Sequence, residues 1–340
     1  MRDPLVLVGV FLLAAACAPR VERRIEGRTM GTTYHVTLVG ISAARAAALQ
    51  VLIDARLEQV NDSMSTYRPE SEVSRFNRCG RAGEPFAVSA DMIAVLRTSA
   101  RVFTVSGGSW DATVMPLVDL WGFGPAGPVD RPPADAALKA ALAHVGFSLV
   151  ELRGNALVKH DPKVTLDLSS IAKGYGVDQV AALLRREGVS DFIVEIGGEV
   201  YAAGSRGDGH AWRVGINRPR TDAAPDDVFG VALLRDQAFA TSGDYRNYFA
   251  SGGVRYSHVI DPRTGRPIAN GVVSVSVRAA DCTLADGLAT AVMVMGAEDG
   301  LAMLEKLKDV EGLVVAEGSD GRLAERATRG LRIEPVEPGR

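Results

Sequence analysis

The stretch Val164-Thr165-Leu166-Asp167-Leu168-Ser169-Ser170-Ile171-Ala172-Lys173-Gly174-Tyr175-Gly176-Val177-Asp178 changes its structural period partway along. Its β-branched start predicts a strand, and Ser169-Ser170 a small polar turn. Val177, Val180, Ala181 and Leu184 then recur on one face of a helix, which Gly188 ends before Phe192–Ile196 returns as a strand. Strand, polar turn and helix N-terminus form a natural phosphate seat. Free N–H groups and the positive end of the dipole face it, and Lys173 adds a charge. A simple capped βαβ unit would look the same, so this stretch indicates mixed α and β structure and leaves its chemistry open.

Upstream, Thr33–Leu38 alternates and predicts a first strand, with Gly31 in the turn before it. Leu49, Leu52, Ile53, Leu57 and Val60 mark an amphipathic helix capped by Ser42. Ser89 opens another, with Ile93, Leu96, Ala100 and Phe103 on one face and a stop at Gly107-Gly108. Between them lies a polar loop carrying Tyr67, which would either stack on a planar ligand or pack half-buried. Residues 124–133 are rich in Pro and Gly and predict a surface loop, followed by a short helix over Ala134–His144.

Downstream, Trp212–Ile216, Phe229–Leu234, Gln237–Thr241 and Val272–Val277 predict strands of an antiparallel sheet. Arg255–Ile260 predicts a short strand and Asp261–Gly265 a turn, since Pro262 fixes φ and Gly265 accepts positive φ. A strand end delivering His258 and Asp261 into a turn suits chemistry, although Asp-Pro-x-x-Gly is equally ordinary turn chemistry. Asp281–Met295 predicts a helix on which Asp286 and Thr290 share a face. A carboxylate beside a hydroxyl is the hard-oxygen chemistry that Mg²⁺ accepts; a Thr bonded back to the i−4 carbonyl is the plainer reading. A helix over Leu301–Leu307 and a strand over Leu313–Ala316 follow, and residues 317–340 read as a frayed tail.

The composition is that of an ordinary globular body: 340 residues, 47% hydrophobic, 23% charged, net charge −3. It carries no basic excess for nucleic acid and no acidic tract. Residues 1–17 differ, with an apolar run from Leu5 to Ala16 closing on Cys17. The run is too short to span a bilayer and has the length of a signal-peptide core. Cys17 after three alanines resembles a bacterial lipoprotein box, with residues 18–26 as a tether and 27–316 as the folded domain. Plain secretion is the alternative. Cys79 and Cys282 stand too far apart in sequence to be assigned as a pair.

Taken together and in order, the motifs resemble the FAD:protein FMN transferases, the ApbE or flavin transferase family. They are Met30-Gly31-Thr32, Ser65-Thr66-Tyr67, Trp110–Thr113 with Pro116–Pro125, Asp167–Tyr175, Thr241–Arg246, His258–Pro267 and Asp286–Thr290. The resemblance implies an α+β fold: one large domain of mixed, mainly antiparallel sheets flanked by helices, with a central nucleotide-binding cleft. It implies FAD as substrate, Mg²⁺, and FMN passed through a phosphoester bond onto a Thr or Ser of another protein, with release of AMP. Membrane redox subunits would be the acceptors, and the chain would sit on the periplasmic side of a bacterial membrane. Met30 and Tyr67 would contact the adenosine end, with Ser109, Trp110 and Asp111 lining the same pocket. Asp167 and Lys173 would hold the nucleotide, and Ile260 would pack on the flavin side. Asp286, Thr290 and Ser170, the last through its carbonyl, would hold Mg²⁺, and His258 would be the base. The same residues would serve a hydrolase splitting FAD into FMN and AMP. A flavin-binding lipoprotein without chemistry is a further alternative, against which His258, Asp286 and Thr290 together speak.

Overall fold

Residues 20–220, 227–244, 247–318 and 320–336 are described by a computed structural model. The alternating segments pair into one sheet of β1 (Glu22–Thr29), β2 (Thr32–Val39), β3 (Phe192–Ile196), β4 (Glu199–Ala203), β5 (Gln237–Gly243), β6 (Val272–Ala279), β7 (Glu311–Glu317) and β8 (Leu323–Ala327). Spatial order equals chain order, and every neighbouring pair is antiparallel. The sheet is therefore a meander, and every other described element except the final strand, which follows β8, is an insertion between its strands. This is the α+β architecture expected from the sequence.

Five of the eight α-helices among the described residues are α1 (Ala43–Met64), α2 (Ala90–Val105), α3 (Ser169–Arg186), α4 (Cys282–Met295) and α5 (Ala297–Leu304). Side chains of Ser42, Ser89 and Asp281 accept from N–H groups three residues on and start α1, α2 and α4. One sheet face packs on helices through Val36, Val194, Ala240 and Val277 against Leu57, Val177, Leu184 and Leu288. The other packs Val200, Ala202, Phe239 and Leu313 against Trp212 and Leu234. Those last two belong to a three-stranded sheet of Trp212–Asn217, Val228–Leu234 and Ile333–Pro335. Covered on both faces, β4 has no exposed residue. A satellite cluster of Leu117, Trp121, Leu138 and Ile260 closes one end, with Trp121 Nε1 donating to the Gly265 carbonyl at 2.7 Å.

Three expectations are corrected. Residues 164–168 are mostly buried but pair with no strand. The Asn77 side chain takes the place of a neighbouring strand, donating to the Leu166 carbonyl at 2.8 Å and accepting its N–H at 2.7 Å. No βαβ unit forms, because β3 lies antiparallel beside β2. Residues 22–26, expected as tether, belong to β1, held by pairing along its whole length to β2. The expected tail contains β8 and the strand Ile333–Pro335. An edge strand with a charged solvent face, such as Leu323-Ala324-Glu325-Arg326-Ala327, looks like a tail in sequence. The leader and Cys17 lie outside the described residues. Cys79 and Cys282 are free thiols, the second buried.

Candidate active site

The site begins where α3 and α4 touch. A Cβ on Gly174 would run into the Cys282 carbonyl oxygen and stand 2.8 Å from Asp286 Cβ, so only glycine permits this approach. The contact lets the Gly174 N–H donate to Asp286 Oδ2 at 2.9 Å. One turn further along α3, Asp178 accepts from the N–H groups of Cys282 and Thr283 and so caps α4 from outside. Burial pushes the Asp178 carboxyl up to about 6, against those donors. Gly174→Ala is expected to cost about 1–3 kcal/mol by overpacking, read as a lower denaturation midpoint. An unchanged midpoint would mean that the helices part without cost.

Asp286 is 2% exposed, and Thr290 lies one turn beyond it with Oγ1 3.0 Å from Ser242 Oγ. Alternation along β5 turns Ser242 to the helix-covered face, as it does Ala238 and Ala240. Lys173 reaches the same space from α3, its Nζ 2.5 Å from Glu199 Oε1. Burial raises the Asp286 carboxyl while Lys173 opposes the rise. Burial alone would depress Lys173, but the charges of Asp286 and Glu199 lift it above its ordinary value.

These groups line a cleft of about 400 Å³ with Thr66, Asp167, Ser170 and His258. The strand expected over Arg255–Ile260 is interrupted at its catalytic candidate. Val254–Ser257 and Ile260–Asp261 are separate strands, and His258 stands between them. Its Nδ1 lies 2.9 Å from the Asn247 carbonyl, to which it donates, so Nε2 carries the free lone pair. Burial, with the Lys173 charge adding to it, lowers this imidazole below its ordinary value. Asp261 does not join it. That carboxylate accepts from Arg263 at 2.9 Å through both oxygens and braces its own turn.

Of the residues singled out from sequence, Tyr67, Ser109, Trp110, Asp111, Asp167, Ser170, Lys173, His258, Ile260, Asp286 and Thr290 all line this cleft. Met30 lines a neighbouring chamber of about 570 Å³ with Val60, Met64 and Ala172, and Tyr67, Ser169 and Lys173 border both spaces. Met30 and Gly31 are the two turn residues between β1 and β2, at φ of 49° and 73°. Trp110 Nε1 donates to Ser170 Oγ at 2.9 Å and fixes the first turn of α3. Asp111 has both oxygens committed, to Thr113 and to the Phe147 N–H, so it braces the wall. Asp167 accepts the Ser169 N–H at 2.8 Å, and burial raises its carboxyl. Ser109 Oγ is buried without a hydrogen-bond partner among the described residues. Sequence reasoning passed over Glu199 and gave no role to Ser242. The available signal for Glu199 was a lone charge opening an otherwise apolar strand behind Gly197-Gly198.

Among the described residues no group of three or more His, Cys, Asp or Glu is gathered as a metal site. The donors at Asp286, Thr290 and Ser242 are all oxygens, beside the buried Glu199 carboxylate and the Lys173 ammonium. That set suits a small hard dication rather than a soft metal.

A model of the ApbE family matches residues 30–314. The chain is 46% identical over 325 residues to the FAD:protein FMN transferase of Vibrio cholerae, covering 94% of this chain and 96% of that one. It is 40% identical over 311 residues to the protein of that name from Haemophilus influenzae, covering 89% of each. Its fold matches the structure of flavin transferase ApbE from Vibrio cholerae with a TM-score of 0.83 at 45% identity, over 92% of this chain and 98% of that one.

Proposed function

The chain belongs to the ApbE family and is an FAD:protein FMN transferase, and from that premise we propose that it transfers FMN, with Mg²⁺, onto a Thr or Ser hydroxyl of membrane redox subunits. The observation that carries this reading is the placement of a free imidazole nitrogen, a buried Asp286 and the half-buried Thr290 one turn beyond it in one cleft. Asp286 and Thr290, with the Ser170 carbonyl, would hold Mg²⁺, which supplies neutralisation of phosphate charge. Lys173 and Asp167 hold the nucleotide near the turn, and the chamber beside Met30 and Tyr67 takes the adenosine end. His258 Nε2 accepts the acceptor hydroxyl's proton as its oxygen bonds to the FMN phosphorus. The bond to the bridging pyrophosphate oxygen breaks, and AMP leaves with that oxygen.

The test is release of AMP from FAD with and without a Thr-bearing acceptor. AMP that appears only with acceptor, in equal amount to acceptor modified, supports transfer. AMP and free FMN produced at the same rate without it would make the protein a pyrophosphatase.

We also propose export and lipid attachment through Cys17. β1 starts at Glu22, so the tether is short and would hold the body close to the periplasmic face of the membrane. No helix among the described residues is long and apolar enough to cross a membrane. Cys17→Ala is expected to move the protein from the membrane fraction to the soluble fraction. Retention in the membrane would refute the anchor.

A further inference from the structure

Glu199 is the one charged residue of β4, and alternation places it with Tyr201 and Ala203 on the face that packs against the helices. It is 1% exposed. Its Oε1 takes the Lys173 ammonium at 2.5 Å, while Oε2 has no hydrogen-bond partner among the described residues. A buried carboxylate with one bare oxygen costs stability, and an apolar residue of similar size would pack there more favourably. The charge therefore answers to the site rather than to the fold.

What it answers to is the position of Lys173. That residue adjoins Gly174, whose N–H holds Asp286, so the ammonium has two carboxylates within its field. A lysine stem is flexible enough to serve either. A Cβ on Gly197 would stand 3.3 Å from Lys173 Cδ, so the turn ahead of β4 also seats that stem on the Glu199 side. We propose that Glu199 is a positioning residue that holds the Lys173 ammonium off Asp286, leaving the Asp286 carboxylate available to a divalent cation. The inference rests on the reading of Asp286 as a cation ligand. Without Glu199, the ammonium pairs with Asp286 and competes with the cation for it.

The test is Mn²⁺ binding to the full chain, followed by electron paramagnetic resonance, in the native protein, Glu199→Gln, Lys173→Gln and the double variant. Glu199→Gln is expected to weaken Mn²⁺ binding about tenfold or more, the scale of a neighbouring unit charge at an effective dielectric of about 20. The double variant should recover near-native affinity, because the competitor is gone. A merely structural ion pair would show no such rescue. Lys173→Gln alone should bind Mn²⁺ at least as well as the native chain, which keeps the inference testable should Glu199→Gln fail to fold. Unchanged affinity in Glu199→Gln, no recovery in the double variant, or a loss in Lys173→Gln would each overturn it. If the native chain shows no Asp286-dependent Mn²⁺ site, the ligand reading falls too; a site insensitive to Glu199 removes this inference alone.

Discussion

His258→Ala is expected to slow FMN transfer by about 10²–10⁴-fold, the usual worth of a positioned base, while FAD still binds. The imidazole lies at the rim between two short strands, and its Nδ1–H is engaged by the Asn247 carbonyl. Removing it therefore deletes a proton acceptor without opening the core. The pH profile follows from the direction of its shift. Burial and the Lys173 charge favour the neutral ring, so its pKa lies below the ordinary 6.5. The neutral form is the active one, so the rate falls only as pH drops through that lowered value. At pH 7 the base is ready. The variant should lose this acidic limb along with its rate. A limb that persists unchanged, or transfer at the native rate, would assign the base elsewhere.

Asp286→Ala is expected to abolish Mg²⁺-stimulated transfer altogether, a larger effect than loss of the base. The side chain is buried, held by the Gly174 N–H, and flanked by Lys173 and Thr290. It is the carboxylate of the proposed cation site, and the remaining donors there are a hydroxyl and a carbonyl. Removing it also leaves Lys173 to its ion pair with Glu199. The check is a Mg²⁺ titration of activity beside a denaturation curve. Asp286→Asn, which keeps the volume and an acceptor for Gly174, should lose the Mg²⁺ response with a smaller change in midpoint. Full Mg²⁺-stimulated turnover in either variant would place the cation on other residues.

Much of this arrangement was legible in the chain because it is written locally. Ser42, Ser89 and Asp281 mark helix starts by chemistry that acts within one turn; Ser42 caps as expected, and Ser89 and Asp281, read as opening their helices, cap them from one residue before. Asp286 and Thr290 meet by helical spacing alone. What was not legible depends on partners distant in sequence. The run Val164–Leu168 has strand-like residues, but its partner is the amide of Asn77, and no local rule announces that substitution. β1 and β8 carry charged outer faces, so only their pairing shows them to be strands. In the site, Asp111 and Asp261 look like Asp286 on paper. Their carboxylates are consumed by Thr113, Phe147 and Arg263, whereas Asp286 is met by one backbone N–H. Glu199 was missed because its role comes from Lys173 across the helix–sheet boundary.

The most direct test of the central claim is the intact mass of a Thr-bearing redox subunit incubated with this protein, FAD and Mg²⁺. The account predicts a gain of one FMN on that threonine, absent when EDTA is added and absent with Asp286→Ala. A subunit whose mass stays unchanged while AMP and free FMN accumulate would contradict it.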